Sequence, residues 1–245
     1  MREIQMVDLK AQYESMKDEI DGAIKTVLNS TAFIKGPEVV MFEEELKLYS
    51  GAKYVISCGN GTDALQIAIM SLGLKPGDEI ITTDFTFVAT IEVVSLLGLK
   101  PVIVDPDPDT FNISVEALRK AITPRTRAVV PVHLFGQCAD MENILSIASG
   151  YGLYVVEDAA QATGAEYFFS NGNKRKAGTI GKIGTTSFFP SKNLGCYGDG
   201  GAIYTNDEDI AVKIRSIANH GMKVRYKYSD IGINSRLDTL QAAIL

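Results

Sequence analysis

Short apolar runs alternate with stretches of helical periodicity along most of the chain. The runs Tyr54–Cys58, Glu79–Thr82, Val102–Asp105, Ala128–Val132, Leu153–Glu157, Thr185–Phe189 and Ala202–Thr205 predict strands. Most are close to continuously apolar, the pattern of strands covered on both faces. Amphipathic stretches at 62–72, 88–97, 114–122 and 140–149 predict helices between them, and 207–219 continues the alternation. Strands separated by helices predict an α/β fold of three layers, a mostly parallel seven-stranded sheet with helices on both faces. Turn residues support the boundaries: Leu74-Lys75-Pro76-Gly77-Asp78 ends a helix, and Asp105-Pro106-Asp107-Pro108-Asp109 is a loop.

Residues 1–30 predict a helical arm, with Leu9, Tyr13, Met16, Ile20 and Ile24 on one face. Residues 31–245 predict one large domain. The tract Arg236–Leu245 predicts a helix without a stop signal, as if the chain were cut inside it.

Composition narrows the function classes. The chain has 245 residues, 46% hydrophobic and 22% charged, enough for a sizeable core. A net charge of −6 argues against nucleic acid as a partner, since such proteins carry a basic face. Cys58, Cys138 and Cys196 are too widely spaced for a metal site and odd in number, which predicts free thiols in a cytoplasmic protein. His133 and His220 are isolated. No apolar stretch suffices for a signal peptide or a membrane span; the longest, Phe87–Leu99, is interrupted by Glu92.

The candidate chemistry sits at the predicted strand ends. Lys192 lies in Ser187-Phe188-Phe189-Pro190-Ser191-Lys192-Asn193-Leu194-Gly195, before the turn Gly198-Asp199-Gly200-Gly201. A lysine on a tight loop can form a Schiff base with an aldehyde cofactor. Asp158 and Gln161 follow the strand ending at Glu157, where ligands bind in open α/β sheets. An acid there can pair with a pyridinium nitrogen, as pyridoxal phosphate (PLP) requires, and Gln161 can reach the ring hydroxyl. Asn60-Gly61-Thr62-Asp63 opens a helix whose free amides favour a phosphate, although the same residues suit an ordinary cap. Phe87, after another strand, can stack on a planar ring or fill a core. Ser187 can add a hydroxyl to the phosphate. Each signal alone has a commonplace structural reading; their joint order along the chain is the distinctive feature.

On these motifs the chain resembles the DegT-type nucleotide-sugar aminotransferases, a branch of the fold-type I PLP enzymes. The resemblance also rests on Thr86-Phe87-Val88-Ala89-Thr90, Val132-His133-Leu134-Phe135-Gly136, Glu157-Asp158-Ala159-Ala160-Gln161 and Gly232-Ile233-Asn234-Ser235-Arg236-Leu237-Asp238. It implies that Lys192 holds PLP, Asp158 pairs with the ring nitrogen, Gln161 contacts the ring oxygen and Phe87 stacks on the ring. It implies a phosphate site of Gly61, Thr62 and Ser187, completed by Asn234 of a second subunit in a homodimer, with Arg236 facing the same shared site as a substrate-binding residue. The implied reaction moves an amino group from an amino acid, glutamate, to a keto group on a nucleotide-linked sugar for surface polysaccharide. The nearest resemblance is to enzymes acting on UDP-linked 3-keto-N-acetylhexuronates, with a dTDP-linked 3-keto-6-deoxyhexose as the alternative. Lysine at position 192, rather than histidine, favours transamination over the dehydration performed by a sister branch. Family members continue into a smaller C-terminal domain that this sequence lacks. Two further readings stay open: an inactive fragment that dimerises or regulates, and a nucleotide-binding module without PLP. The second is disfavoured because Gly59-Asn60-Gly61-Thr62-Asp63-Ala64 lacks the third glycine of a dinucleotide fingerprint.

Overall fold

The computed structural model describes residue 4 and residues 6–245. The chain opens with helix α1 (Leu9–Ser30), capped by the Asp8 carboxylate on Ala11 N–H, and α2 (Pro37–Ser50). There follow β1 (Tyr54–Cys58), α3 (Gly61–Ser71), β2 (Glu79–Thr83), α4 (Ala89–Leu96), β3 (Lys100–Val104), α5 (Val115–Ala121) and β4 (Thr126–Val130). A short 3-10 turn at Leu134–Gly136 leads to α6 (Met141–Tyr151) and β5 (Tyr154–Asp158). A hairpin, β6 (Glu166–Phe168) and β7 (Lys174–Lys176), precedes β8 (Ile183–Ser187), β9 (Gly201–Thr205) and α7 (Glu208–Ile217). A second hairpin, β10 (Met222–Val224) and β11 (Lys227–Tyr228), precedes α8 (Thr239–Ile244).

The seven predicted strands form one sheet in the order β1-β9-β8-β5-β4-β2-β3. Only β9 runs antiparallel, pairing β1 on one side and β8 on the other. The carboxyl ends of β1, β8, β5, β4 and β2 therefore share one edge, the edge on which a ligand site is built in such folds.

The strands read as continuous apolar runs because neighbouring residues serve two cores. Ile80, Val130 and Val156 pack under α3, α4 and α7 with Ile67, Val93 and Ile214. Their neighbours Ile81, Val129 and Val155 pack on the opposite face with Leu118, Met141 and Ile144 of α5 and α6. Full burial of each such side chain is worth about 1.5–3 kcal/mol, so the sheet cannot slip register without losing both cores. Pro101 is tolerated because β3 is an edge strand.

Several features differ from expectation. Helix α2 was not predicted, although Pro37 at its first turn and Gly51 at its left-handed C-cap are ordinary boundary signals. Exposed Val40, Met41 and Leu48 blur the stripe made by buried Val39, Phe42 and Leu46. The two hairpins were not predicted either, being short and polar. The C-terminal helix starts at Thr239 rather than Arg236. Its predicted first turn is held extended instead, by bridges between Asn219 and Asn234 and between Ile34 and Asp238, and by Thr239 N–H on Phe33 O. Leu237 is buried among Phe42, Leu46, Val55 and Phe188. On α1, Ile20 is buried and Leu9 and Met16 are exposed, so one chain covers only part of the predicted face.

Candidate active site

A cavity of about 570 Å³ opens at the carboxyl edge of the sheet. Its lining includes Gly61, Thr62, Phe87, Asp158, Gln161, Ser187 and Lys192, seven of the nine residues predicted from sequence. Asn234 and Arg236 are not among them. Asn234 is exposed. Arg236 lines a separate cavity of about 210 Å³ with Lys35, Glu43, Arg215 and Asn219.

Asp158 is the last residue of β5 and only 5% exposed. Its backbone is fixed on both sides: its N–H donates to Pro131 O, and His133 N–H donates to its carbonyl. Its Oδ2 accepts from the Thr90 hydroxyl at 2.7 Å and its Oδ1 from Ala160 N–H at 3.2 Å. Thr90 in turn contacts the Thr86 hydroxyl at 2.9 Å. Gln161 is held by Phe135, whose N–H donates to Gln161 Oε1 at 2.7 Å. That amide is aimed by a left-handed backbone at Phe135 (φ 53°), a conformation costly for an aromatic residue and often found at ligand sites.

The residue before Asp158 anchors the whole strand end. Glu157 and His133 are fully buried and 2.8 Å apart. Ala139 N–H donates to His133 Nδ1, so the ring proton sits on Nε2 and points at Glu157. Glu157 also accepts from Gly178, Ile180 and Gly181 N–H. Four donors on one buried carboxylate tie β5 to the turn that enters β8.

The residues expected to hold a phosphate come together where α3 meets β8. The Asn60 side chain takes the Asp63 N–H at 2.7 Å, leaving the amides of Gly61 and Thr62 without helical acceptors. The capping reading of this segment is borne out, and the same turn leaves two amides free to donate. A Cβ on Gly61 would sit 2.7 Å from Ser187 Cβ, so glycine alone lets the two elements approach this closely. Ser187 Oγ accepts from Phe189 N–H, which leaves its own proton free to donate. Asp63 also lines the cavity, and its Oδ2 is engaged by the Ser235 hydroxyl at 2.6 Å. Ser235 Oγ accepts in turn from Gly59 N–H, fastening the 232–238 segment to the cradle.

Lys192 lies in the loop after β8, in a tight turn closed by its N–H on Phe189 O. Its side chain is half-buried, and its amine makes no hydrogen bond or ion pair with another described residue. Phe87 is 69% exposed, which removes the core-filling alternative. The arrangement fits PLP: a free amine, a buried carboxylate, an amide, an exposed aromatic face and a hydroxyl beside two free helix-terminal amides, all on one cavity.

Thr90, Thr86, Phe135, His133, Glu157 and Ser235 belong to this site and had no role assigned from sequence. Thr90, His133 and Glu157 are polar residues inside apolar tracts, but each acts through a partner distant in the chain. The three cysteines are free, and burial pushes the Cys58 thiol well above its ordinary range. Among the described residues there is no metal-binding cluster, and no helix is long and apolar enough to cross a membrane.

The chain is 56% identical over 242 residues to the UDP-2-acetamido-2-deoxy-3-oxo-D-glucuronate aminotransferase of Pseudomonas aeruginosa, covering 99% of this chain and 66% of that one. A DegT DnrJ EryC1 StrS aminotransferase from Brucella abortus superposes with a TM-score of 0.94 at 45% identity, over 99% of this chain and 66% of that one. The ntda structure from Bacillus subtilis, with bound cofactor PMP, superposes with a TM-score of 0.90 at 37% identity, over 99% of this chain and 55% of that one. The chain thus spans about two thirds or less of the length of these relatives. Residues 14–245 match the family model described as the DegT/DnrJ/EryC1/StrS aminotransferase family, and the chain belongs to that family.

Proposed function

We propose that this chain binds PLP and serves amino transfer to a keto group on a nucleotide-linked sugar. The observation that carries the reading is the convergence of Lys192, buried Asp158 and the Gly61–Thr62–Ser187 cradle on one cavity. When bound, PLP supplies an electron sink for the carbanion formed at the donor's Cα. Lys192 would hold it through Nζ and serve as general base and acid for the proton at the donor's Cα. Asp158 would pair with the ring nitrogen, Gln161 with the ring oxygen, Phe87 would stack on the ring, and the cradle would hold the phosphate with hydroxyl and amide donors.

A UDP-linked 3-keto-N-acetylhexuronate is the proposed acceptor, following the name of the relative from P. aeruginosa, and glutamate is the proposed donor. The product would feed surface polysaccharide. The exposure of Asn234, on a segment fastened to the cradle by Ser235, supports a homodimer in which Asn234 serves the neighbour's phosphate. Arg236 on the same segment would pair with the uronate carboxylate in a shared site.

The test is borohydride reduction of the yellow PLP-loaded protein followed by peptide mapping. Label on Lys192 is expected; label on another lysine, such as Lys182, overturns the assignment. Asp158→Asn should bind PLP and lose half-transamination by orders of magnitude. A rate within about threefold of the parent, a deficit under ~0.7 kcal/mol, would remove Asp158 from the role.

A further inference from the structure

Thr90 is fully buried in the first turn of α4. A buried helical threonine ordinarily returns its hydroxyl to the carbonyl one turn back. Thr90 instead donates across 68 residues of sequence to Asp158 Oδ2, at 2.7 Å. A hydroxyl has one proton, and an ionised carboxylate has none to give. The 2.9 Å contact between the Thr86 and Thr90 hydroxyls therefore runs from Thr86 to Thr90. With Ala160 N–H on Oδ1, each carboxylate oxygen has one fixed donor from the protein.

The carboxylate plane is set by donors on two elements, the start of α4 and the turn after β5, so Asp158 is held facing the cavity. We propose that Thr90 is a positioning residue that, through its hydrogen bond to Asp158, fixes the carboxylate in the orientation that pairs it with the PLP ring nitrogen. This rests on the PLP reading above. Thr86 supports it by supplying a donor to the Thr90 oxygen.

The comparison of Thr90→Val with Thr90→Ser separates the hydroxyl from the shape of the side chain. Val keeps the branched volume and removes the donor; Ser keeps the donor and removes the methyl. The holo-protein is prepared with PLP labelled with ¹⁵N at the ring nitrogen, and its resonance is read at one fixed pH. Thr90→Ser should keep the parent's protonated-pyridine shift. Thr90→Val should move it toward the unprotonated value. It should also slow single-turnover reaction with glutamate about ten- to a hundredfold, the scale of a hydrogen bond to a charged group, with the apparent affinity for glutamate little changed. A Val variant with the parent's ¹⁵N shift, or Ser and Val variants displaced alike, overturns the proposal. If the Val protein does not fold, Thr90→Ala takes its place against Thr90→Ser. A parent protein that binds no PLP would instead overturn the functional reading, and this inference with it.

Discussion

Gly61→Ala tests the cradle most directly, because its cost can be worked from the structure. The added Cβ would lie 2.7 Å from Ser187 Cβ and 3.2 Å from its Oγ. Carbon atoms attract best at roughly 3.5–4.0 Å, so the contact is about 1 Å too close. Neither side can yield cheaply. The start of α3 is pinned by the Asn60 cap and by Ala64 N–H on Asn60 O, and Ser187 is in register with Gly201 on β9. Relief requires moving α3 away from β8, which carries the Gly61 and Thr62 amides away from the Ser187 hydroxyl. Overpacking of this kind costs about 1–3 kcal/mol, a factor of about 5 to 150 in affinity if all of it falls on PLP binding. The assay is PLP titration by visible absorption, with urea unfolding of the PLP-free protein to measure the share falling on stability. Ser187→Gly removes the clashing Cβ and leaves the Cα at 3.4 Å, an ordinary contact. In the double mutant the penalty of the alanine should fall by at least ~1 kcal/mol, a coupling energy in the range for touching residues. Unchanged PLP affinity and an unchanged urea midpoint in Gly61→Ala would refute the reasoning. A large penalty with no coupling to Ser187 would place the clash elsewhere.

Glu157→Gln should cost about 2–4 kcal/mol in urea unfolding, because its amide must face buried N–H donors in either orientation; a loss under ~0.5 kcal/mol would contradict the anchor. The Glu79 carboxyl is held down to about 2 by the Thr123 hydroxyl and by Lys100 and Arg125. Its pKa is lower folded than unfolded, so its contribution is complete above about pH 4.5 and is lost as pH falls toward 2. Discounted for its exposed cationic partners, that contribution is about 1–2 kcal/mol; the stability gap between parent and Glu79→Gln should close over this window, and a gap unchanged at pH 2.5 would refute it. If Asn234 serves the neighbouring site, Asn234→Ala and Lys192→Ala chains should each be impaired, and refolding them together should restore one intact site per mixed dimer. Sedimentation of the PLP-bound parent as a monomer at micromolar concentration would remove the shared site.

The sheet was legible because its central strands face two cores. Ile80 and Ile81, Val129 and Val130, and Val155 and Val156 leave no polar alternation to confuse strand with surface. The candidate chemistry was legible because it stands where the apolar pattern stops, at Gly61, Phe87, Asp158 and Ser187. Helix α2 was not, because its exposed apolar residues weaken the stripe although its caps are regular. The start of α8 was displaced because Asn234 and Asp238 pair with Asn219 and Ile34, partners that no local window contains.

The sequence by itself therefore determined the class of fold, the strand ends and the types of residue that meet there, since these depend on local periodicity and on residue chemistry. Only the tertiary structure decided how those residues are held. Thr90 on Asp158, the Phe135 amide on Gln161 and His133 on Glu157 are hydrogen bonds between elements 68, 26 and 24 residues apart. Arg236 and Lys192 occupy separate cavities for the same reason. A hydrogen bond depends on distance and angle to within a few tenths of an ångström. Those are set by the packing of β5 against β4 and β8 and of α3 against β8, not by the order of residues along the chain.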